Sequence, residues 1–436
     1  MEIHEILSVN KNILVFGYGI SGAGAYKFLK NRGHNVSTFD EFKSDIPNKI
    51  TTIDFKKIDF IVKSPSIPYL KHNIHPVLKE AQEHEIPILS NFDVFKLYNP
   101  NAKIIAVTGT NGKSTTTSLI YQILKKAKYS ASMGGNIGIS YFDLPKSDYY
   151  VFEMSSYELA SSRYLDFEIG CVLNIEPDHI SFHDSFENYI FAKHLLIDHS
   201  KTKVISQEDK LSMEKYWNLE GLITVSTSNN PTAHYYVMEG ALIDSGIAII
   251  DLANLTELRG THNHQNALFA YAVCRKLGLQ SKEIARNIQS FKALSHRMNC
   301  VRKIENILFI NDSKGTNPGS AKRALETFDG YKIFWLVGGR SKKTDSLEYV
   351  SHCLKRVHKI YLFGESEQEF ENTFKNIVST IKCNTMHNAL NTAYKDAKKE
   401  IGPAVVLLSP MCASFDQFEN FEHRGECFVK MVLNLK

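Results

Sequence analysis

The chain reads as an α/β protein built from successive, mostly parallel sheets, and three observations predict this. Short apolar runs alternate with helical stretches from end to end, the pattern of parallel sheets covered by helices. Two strand-to-helix turns are glycine-rich, one spanning Gly17 to Gly22 and one spanning Gly109 to Gly112. At 436 residues the chain is too long for one ordinary core, so two to three domains are expected.

The first region, residues 1–98, opens with the apolar strand NILVF at 12–16, followed by GYGISGAG and a helix through Leu29 that Gly33 can end. A second strand, Val36 to Phe39, runs to Asp40. Gly17, Gly19 and Gly22 complete a G-x-G-x-x-G turn, so this region is Rossmann-like. A strand at 60–62, a turn at Ser64-Pro65 and a helix near 75–84 follow, and LYNPN at 97–101 looks like a linker. The central region, 99–298, reads as a phosphate-loop ATPase-like parallel sheet. It has strands at 104–107, 149–154 and 170–175, helices at 116–126, 185–198 and 264–277, and strand-like alternation over 221–255. The third region, 299–436, again alternates, with strands near 307–311, 332–337, 359–363 and 404–408, and is Rossmann-like too.

Composition narrows the function. With 43% hydrophobic and 22% charged residues the chain is globular, and a net charge of +4 argues against wholesale nucleic-acid binding while allowing local basic pockets. Its seven cysteines have no paired metal or redox spacing and read as reduced core residues of a cytosolic protein. The opening MEIHEILSVNK is acidic where a secretory leader is basic, and no apolar run approaches the ~20 residues of a membrane helix. A cytoplasmic protein without membrane or nucleic-acid partners is expected.

The most informative string is Val107-Thr108-Gly109-Thr110-Asn111-Gly112-Lys113-Ser114-Thr115. A glycine loop between a buried strand and a helix wraps backbone N–H groups around phosphates, aided by the positive end of the helix dipole. Lys113 would reach the β- and γ-phosphates and the Ser114 hydroxyl a Mg²⁺ ion. Val107 stands where the general pattern has its first glycine. Glu153, at the carboxyl end of its strand, can meet the same metal, or be an ordinary strand-end acid. Asn174-Ile175-Glu176-Pro177-Asp178-His179 follows another strand, with His183 four residues on; a zinc pair lacks a third ligand of matching type. Lys193 reads as either a solvated or a functional lysine. Asn263 and Asn266 open a helix and serve either an adenine base or a helix cap. Three polar segments after strands, 311–318, 338–343 and 409–414, offer lysines and hydroxyls suited to a small carboxylate substrate. The first glycine loop fits NAD or FAD with Asp40 on a ribose, the diphosphate of another nucleotide, or a turn with no ligand.

Taken together, FGYGISG, TGTNGKST, GGNIG, EMSSYEL, NIEPDH, FAK, THNHQNA, SHR, NDSKGTNP, GGRSKKTD and SPMCASFDQFENFEHRG resemble the Mur ligase family, in order and over nearly the whole chain. The last string is most similar to the D-glutamate-adding branch, and the family's shorter TGTNGK[ST] loop accounts for Val107. The resemblance implies three domains and ATP-driven amide-bond formation through an acyl phosphate, in peptidoglycan precursor synthesis. The implied partners are UDP-N-acetylmuramoyl-L-alanine and D-glutamate, and the implied cofactors ATP and two Mg²⁺ ions; a monomer is expected. It assigns Gly109, Thr110, Asn111, Gly112, Lys113, Ser114, Thr115, Asn263, Asn266, Arg297 and Asp312 to ATP. It assigns Ser114, Glu153, His179 and, if carbamylated, Lys193 to metal, with Lys113, Glu153, His179 and Lys193 catalytic. Gly19, Ile20, Ser21, Asp40, Asn136 and His179 match UDP-sugar contacts. Lys314, Thr316, Lys342, Ser414 and Phe421 match the D-glutamate pocket, with Lys343 able to replace Lys342. The N-terminal loop is then expected to hold UDP diphosphate, with the C-terminal domain closing over ATP and the reactants meeting where the domains converge. Three departures from the family stand out: Glu41-Phe42 replaces Thr-Arg, Ser66 replaces glycine, and Glu158 replaces glutamine, bringing an extra negative charge toward an anionic substrate. An NAD-dependent oxidoreductase and a non-catalytic nucleotide-binding regulator are the competing classes.

Overall fold

The computed structural model describes residues 10–42, 53–70, 73–137, 139–255, 257–341 and 348–435. The apolar runs form the interior strands of three sheets, because a parallel strand is covered by helices on both faces and must be apolar throughout. The chain divides into two compact units, Met1–Leu252 with Asn263–Phe291, and Ala253–His262 with Lys292–Lys436. No helix of the described residues is long and apolar enough to cross a membrane.

The first unit holds two large sheets and a small antiparallel pair, Tyr69–Leu70 with Asn73–Ile74. Strands β1 (Asn12–Phe16), β2 (Asn35–Phe39), β3 (Phe60–Lys63) and β4 (Ile88–Ser90) form an all-parallel sheet in the order β2-β1-β3-β4. Helix α1 (Ile20–Lys30) leaves β1 through the first glycine turn, and α2 (Pro76–Glu83) matches the helix expected near 75–84. Helix α3 (Asn91–Tyr98) follows β4 directly, started by a capping box in which Ser90 and Asp93 satisfy each other's backbone N–H. Two of the five residues expected as a linker at 97–101, Leu97 and Tyr98, therefore belong to this helix. The capping box begins it, and two buried faces carry it to Tyr98, Phe92 and Phe95 entering one core cluster and Val94 and Leu97 another.

The second sheet has nine strands: β5 (Lys103–Thr108), β6 (Ala131–Gly135), β7 (Tyr149–Glu153), β8 (Phe167–Val172), β9 (Ser200–Ser206), β10 (Leu222–Ser226), β11 (Tyr235–Met238), β12 (Ala241–Asp244) and β13 (Ile247–Asp251). Their order is β13-β12-β11-β10-β9-β8-β5-β7-β6, parallel except for the β11-β12-β13 meander. Helices α4 (Lys113–Lys126), α5 (Ser156–Ser161), α6 (Phe186–Asp198) and α7 (Thr261–Lys276) accompany it. The second unit carries β14 (Asn299–Ile304), β15 (Ile307–Asn311), β16 (Lys332–Gly338), β17 (Val357–Phe363), β18 (Thr380–Lys382) and β19 (Ala404–Met411). They lie in the order β14-β15-β19-β16-β17-β18, with only the β14–β15 pair antiparallel. All eight residues of β19 are buried, between one core layer around Trp335 and another around Phe309 and Phe428.

Candidate functional site

The 107–115 loop joins the carboxyl end of β5 to α4, as its glycines predict. Gly112 caps α4 at φ +86°, and a Cβ there would run into Asn266 Oδ1, so glycine is required twice over. The loop is braced by the end of the neighbouring β8. Thr110 N donates to Asn174 O at 2.8 Å, Asn111 N donates to Asn174 Oδ1 at 2.9 Å, and Thr110 Oγ1 meets Tyr189 OH at 2.9 Å. Lys113 folds over the loop and donates to Gly109 O and Thr110 O, both at 2.8 Å. Asn263 and Asn266 are buried: Asn266 Oδ1 accepts from Thr116 Oγ1 at 3.0 Å and its amide donates to Asn263 Oδ1 at 2.9 Å. Both lie inside α7, which starts at Thr261, so Asn263 is not its N-cap.

Glu153, the last residue of β7, places its buried carboxylate beside the start of α4. Ser114 Oγ donates to Glu153 Oε2, and Asn136 Nδ2 donates to Glu153 Oε1 at 3.1 Å. A hydroxyl and a carboxylate at a phosphate loop are hard oxygen donors, the set that suits Mg²⁺. Lys193 on α6 reaches the same loop: Nζ donates to Gly109 O at 2.7 Å and lies 4.7 Å from the centre of the Tyr189 ring. At 1% exposure, its ammonium is held well below the usual lysine range, by burial first and by the neighbouring Lys113 charge second. Asp178, Glu153 and Asp209 oppose that shift.

His179 adopts a left-handed conformation at φ 54°. Its Nδ1 pairs with Tyr157 OH at 2.7 Å and its Nε2 lies 3.5 Å from Asp178 Oδ2. His183 is buried and bonds Ser156 Oγ at 2.9 Å, so the two histidines have separate partners and form no zinc pair. Sequence reasoning gave no role to Asn174, Tyr157 or Tyr189; Asn174 and Tyr157 stand inside strings it singled out, and Tyr189 carried no signal.

The first glycine turn opens onto a cavity of about 540 Å³ lined by Gly19, Ile20, Ser21, Asp40, Ser64 and His75 among others. A Cβ at Gly22 would strike Gly17 O, whereas nothing lies within 4 Å of one at Gly19. That open backbone is where a diphosphate can approach. The Asp40 carboxylate accepts from Tyr18 N at 2.6 Å and from Phe42 N at 3.0 Å, and so it shapes the turn as well as facing the cavity. Glu41 pairs with His75 at 3.1 Å, and Phe42 is 96% exposed. Glu158 does not bring its charge to a substrate surface as expected: it is 2% exposed and bonded to Tyr141.

In the second unit, Asp312 follows β15 and is buried, with Ser409 Oγ donating to its Oδ2 at 2.8 Å. Burial pushes its carboxyl up to about 7, against the pull of Ser409 and of the Arg297 charge. Lys314 Nζ sits 4.7 Å over the Phe421 ring, Thr316 N donates to Lys314 O at 2.9 Å, and Ser414 is buried. The structure thus brings Lys314 and Phe421 together; Lys342 lies outside the described residues, as does Lys343. Arg424, fully buried, went unassigned in the sequence. It donates to Ser313 O at 2.8 Å and Cys412 O at 3.1 Å, tying the 312–316 segment to the end of β19.

Comparison with known proteins fits this arrangement. A model of the Mur ligase middle domain matches residues 107–274, and one of the Mur ligase, glutamate ligase domain matches residues 296–412. The UDP-N-acetylmuramoylalanine--D-glutamate ligase of Wolbachia pipientis wMel is 34% identical over 98% of this chain and 97% of its own. That of Rhodospirillum rubrum is 34% identical, covering 97% of this chain and 94% of its own. The solved MurF ligase from Thermotoga maritima in complex with ADP shares the fold with a TM-score of 0.60 at 18% identity, over 98% of this chain and 96% of that one. With relatives matched along nearly their whole length and both domain models satisfied, the chain belongs to the Mur ligase family.

Proposed function

We propose that the chain is the ATP-dependent ligase that joins D-glutamate to UDP-N-acetylmuramoyl-L-alanine, in cytoplasmic synthesis of a peptidoglycan precursor. One observation carries the reading: Lys113, Ser114, Glu153 and Lys193 converge on a single phosphate loop. The names of the full-length relatives support the choice of amino acid and acceptor. Three domains, 1–98, 99–298 and 299–436, follow the three sheets, and the protein acts as a monomer.

In this reading Gly109 to Thr115 cradle the ATP phosphates, with Asn263, Asn266, Arg297 and Asp312 holding the rest of the nucleotide. Gly19, Ile20, Ser21, Asp40 and Asn136 hold the UDP-sugar. Lys314, Thr316, Lys342, Ser414 and Phe421 hold D-glutamate. Ser114 and Glu153 would hold one Mg²⁺, with His179 and a carbamylated Lys193 at a second; the ions supply charge neutralisation for phosphoryl transfer. Burial favours the neutral Lys193 amine, the form that can add to carbon dioxide and become an anionic carbamate. Lys113 turns from its loop carbonyls to the phosphates as the L-alanine carboxylate attacks the γ-phosphorus, ADP leaves, and an acyl phosphate forms. The D-glutamate amine then attacks the acyl carbon, and the tetrahedral intermediate expels phosphate. Positioning and charge stabilisation account for the chemistry.

Hydroxylamine tests the intermediate. With Mg-ATP and UDP-N-acetylmuramoyl-L-alanine but no amino acid, it should trap the activated carboxyl as a hydroxamate, and Glu153→Ala should abolish the product. A wild-type protein that turns over without ever yielding hydroxamate would overturn the acyl-phosphate route.

A further inference from the structure

In the second unit, outside the site described above, three donor atoms of different chemistry meet between two short elements. Helix α8 (Pro318–Thr327) follows the segment of Lys314 and Thr316, and helix α9 (Glu348–Ser351) ends at a turn that leads into Leu354–Arg356. Glu326 lies in the last turn of α8, and His352 and Cys353 form the turn after α9. His352 Nε2 lies 3.5 Å from Glu326 Oε1, and Cys353 Sγ lies 3.7 Å from the same oxygen. One donor atom from each of the three residues lies within 4.8 Å of the other two. Ala324 and Leu325 of α8 share a core layer with Val350, Cys353 and Leu354, so buried packing sets the backbone that carries these side chains.

The separations favour coordination over hydrogen bonding. A good N–H···O bond spans about 2.7–3.2 Å, so the imidazole and the carboxylate lie too far apart for one. With Zn–O and Zn–N bonds of about 2.0–2.2 Å and Zn–S of about 2.3 Å, the edges of a tetrahedron measure about 3.3–3.7 Å. Both measured separations fall in that range. His352 has 58% of its side chain exposed and can rotate to close the third edge, while Cys353, 1% exposed, stays fixed. Glu326 is exposed as well, which leaves the fourth position to water. A thiolate and a carboxylate together cancel the charge of a divalent ion, and sulfur with imidazole selects Zn²⁺ over the hard Mg²⁺. The free thiol is protonated, burial pushing it up to about 11, so an entering ion displaces that proton to solvent. Lys322 and Arg356 are the cations that act on the thiol, and Arg356 is already paired with Asp329 at 3.3 Å.

We propose that Glu326, His352 and Cys353 form a Zn²⁺ site that pins the carboxyl end of α8 to the turn after α9. Paired metal spacing is absent from the sequence because the ligands come from two elements that only the fold brings together. The site stands apart from the ligase reading: it adds stability to the second unit and no chemistry to the reaction.

Titration of the full-length protein with Co²⁺ and then Zn²⁺, without nucleotide, tests the site. Cobalt takes the place of zinc and gives a thiolate-to-metal charge-transfer band in the near ultraviolet only when sulfur is bound. Wild type should show that band, saturating at a single bound ion, with Zn²⁺ abolishing it and excess Mg²⁺ leaving it in place. Glu326→Gln and His352→Ala should each weaken binding at least about tenfold, since even a hydrogen-bond partner of a ligand is worth that much. Cys353→Ser should lose the band, whereas Cys300→Ser, at an exposed cysteine, should keep it. Zn²⁺ should raise the melting temperature of wild type and leave that of His352→Ala unchanged. No band in wild type, or a band that survives in Cys353→Ser, would overturn the proposal. Should Cys353→Ser fail to fold, the two exposed ligands carry the test, and wild-type affinity in both Glu326→Gln and His352→Ala would overturn it equally.

Discussion

Asp312 offers a direct test of how the second unit holds its charge. Its carboxyl moves from an ordinary 3.8 to about 7 because burial outweighs the Ser409 hydrogen bond and the Arg297 and Arg424 charges. At ~1.4 kcal/mol per tenfold change in proton affinity, ionisation costs on the order of 4 kcal/mol more in the fold than in the unfolded chain. The fold binds the proton more tightly than the unfolded chain. The stability from this group is therefore full below about pH 4, declines as pH rises, and is gone above about pH 7. Asp312→Asn removes the charge but leaves Ser409 Oγ a poorer partner, so about 2–4 kcal/mol of stabilisation is expected at pH 8 and about none at pH 5. For a unit of this size that is a rise of about 5–10 °C in its melting temperature at pH 8 alone. Thermal unfolding followed by near-ultraviolet circular dichroism at both pH values measures it. The same variant should bind ATP more weakly, since the carboxylate is assigned to the nucleotide. An Asp312→Asn protein melting at or below wild type at both pH values would refute the reasoning.

Other outcomes follow from the first unit. Gly112→Ala forces a left-handed alanine against Asn266 Oδ1, so ATP affinity measured by calorimetry should fall by about five- to thirtyfold for a strain of about 1–2 kcal/mol; unchanged affinity would contradict the assigned clash. Lys193→Arg keeps a cation but cannot form a carbamate, so turnover should fall at least about a hundredfold while ATP binding stays within about threefold; turnover near wild type would exclude the carbamate. Tyr157→Phe removes the hydroxyl at 2.7 Å from His179 Nδ1, and kcat should drop by about three- to tenfold for one lost hydrogen bond, an effect absent if His179 lies outside the reaction.

The sheet interiors were legible because strands such as IIAVT and AVVLL are apolar on both faces and bounded by glycine or polar turns. Strands that escaped notice lack that signature: β6 is ASMGG, β9 is SKTKVIS and β18 is TIK, rich in small or polar residues, while β4, ILS, is too short to show a pattern. Of the small or polar ones, β6 and β18 lie at sheet edges, where one side needs no apolar cover. The phosphate loop was legible because its glycines answer local demands of backbone conformation. Asn174, which braces it from the next strand, and Arg424, which ties two loops together, were not, because their partners are distant in sequence. Glu158 shows the same limit: its sequence neighbours cannot reveal that it is buried against the Tyr141 hydroxyl.

The central claim is tested most directly by phosphate release from Mg-ATP, with purified protein, UDP-N-acetylmuramoyl-L-alanine and single amino acids of either hand. Release that requires both the UDP-sugar and D-glutamate is the predicted result. Release with a different amino acid would contradict the assignment of Lys314 and Phe421 to D-glutamate, and no release with any pair, despite ATP binding, would contradict the ligase itself.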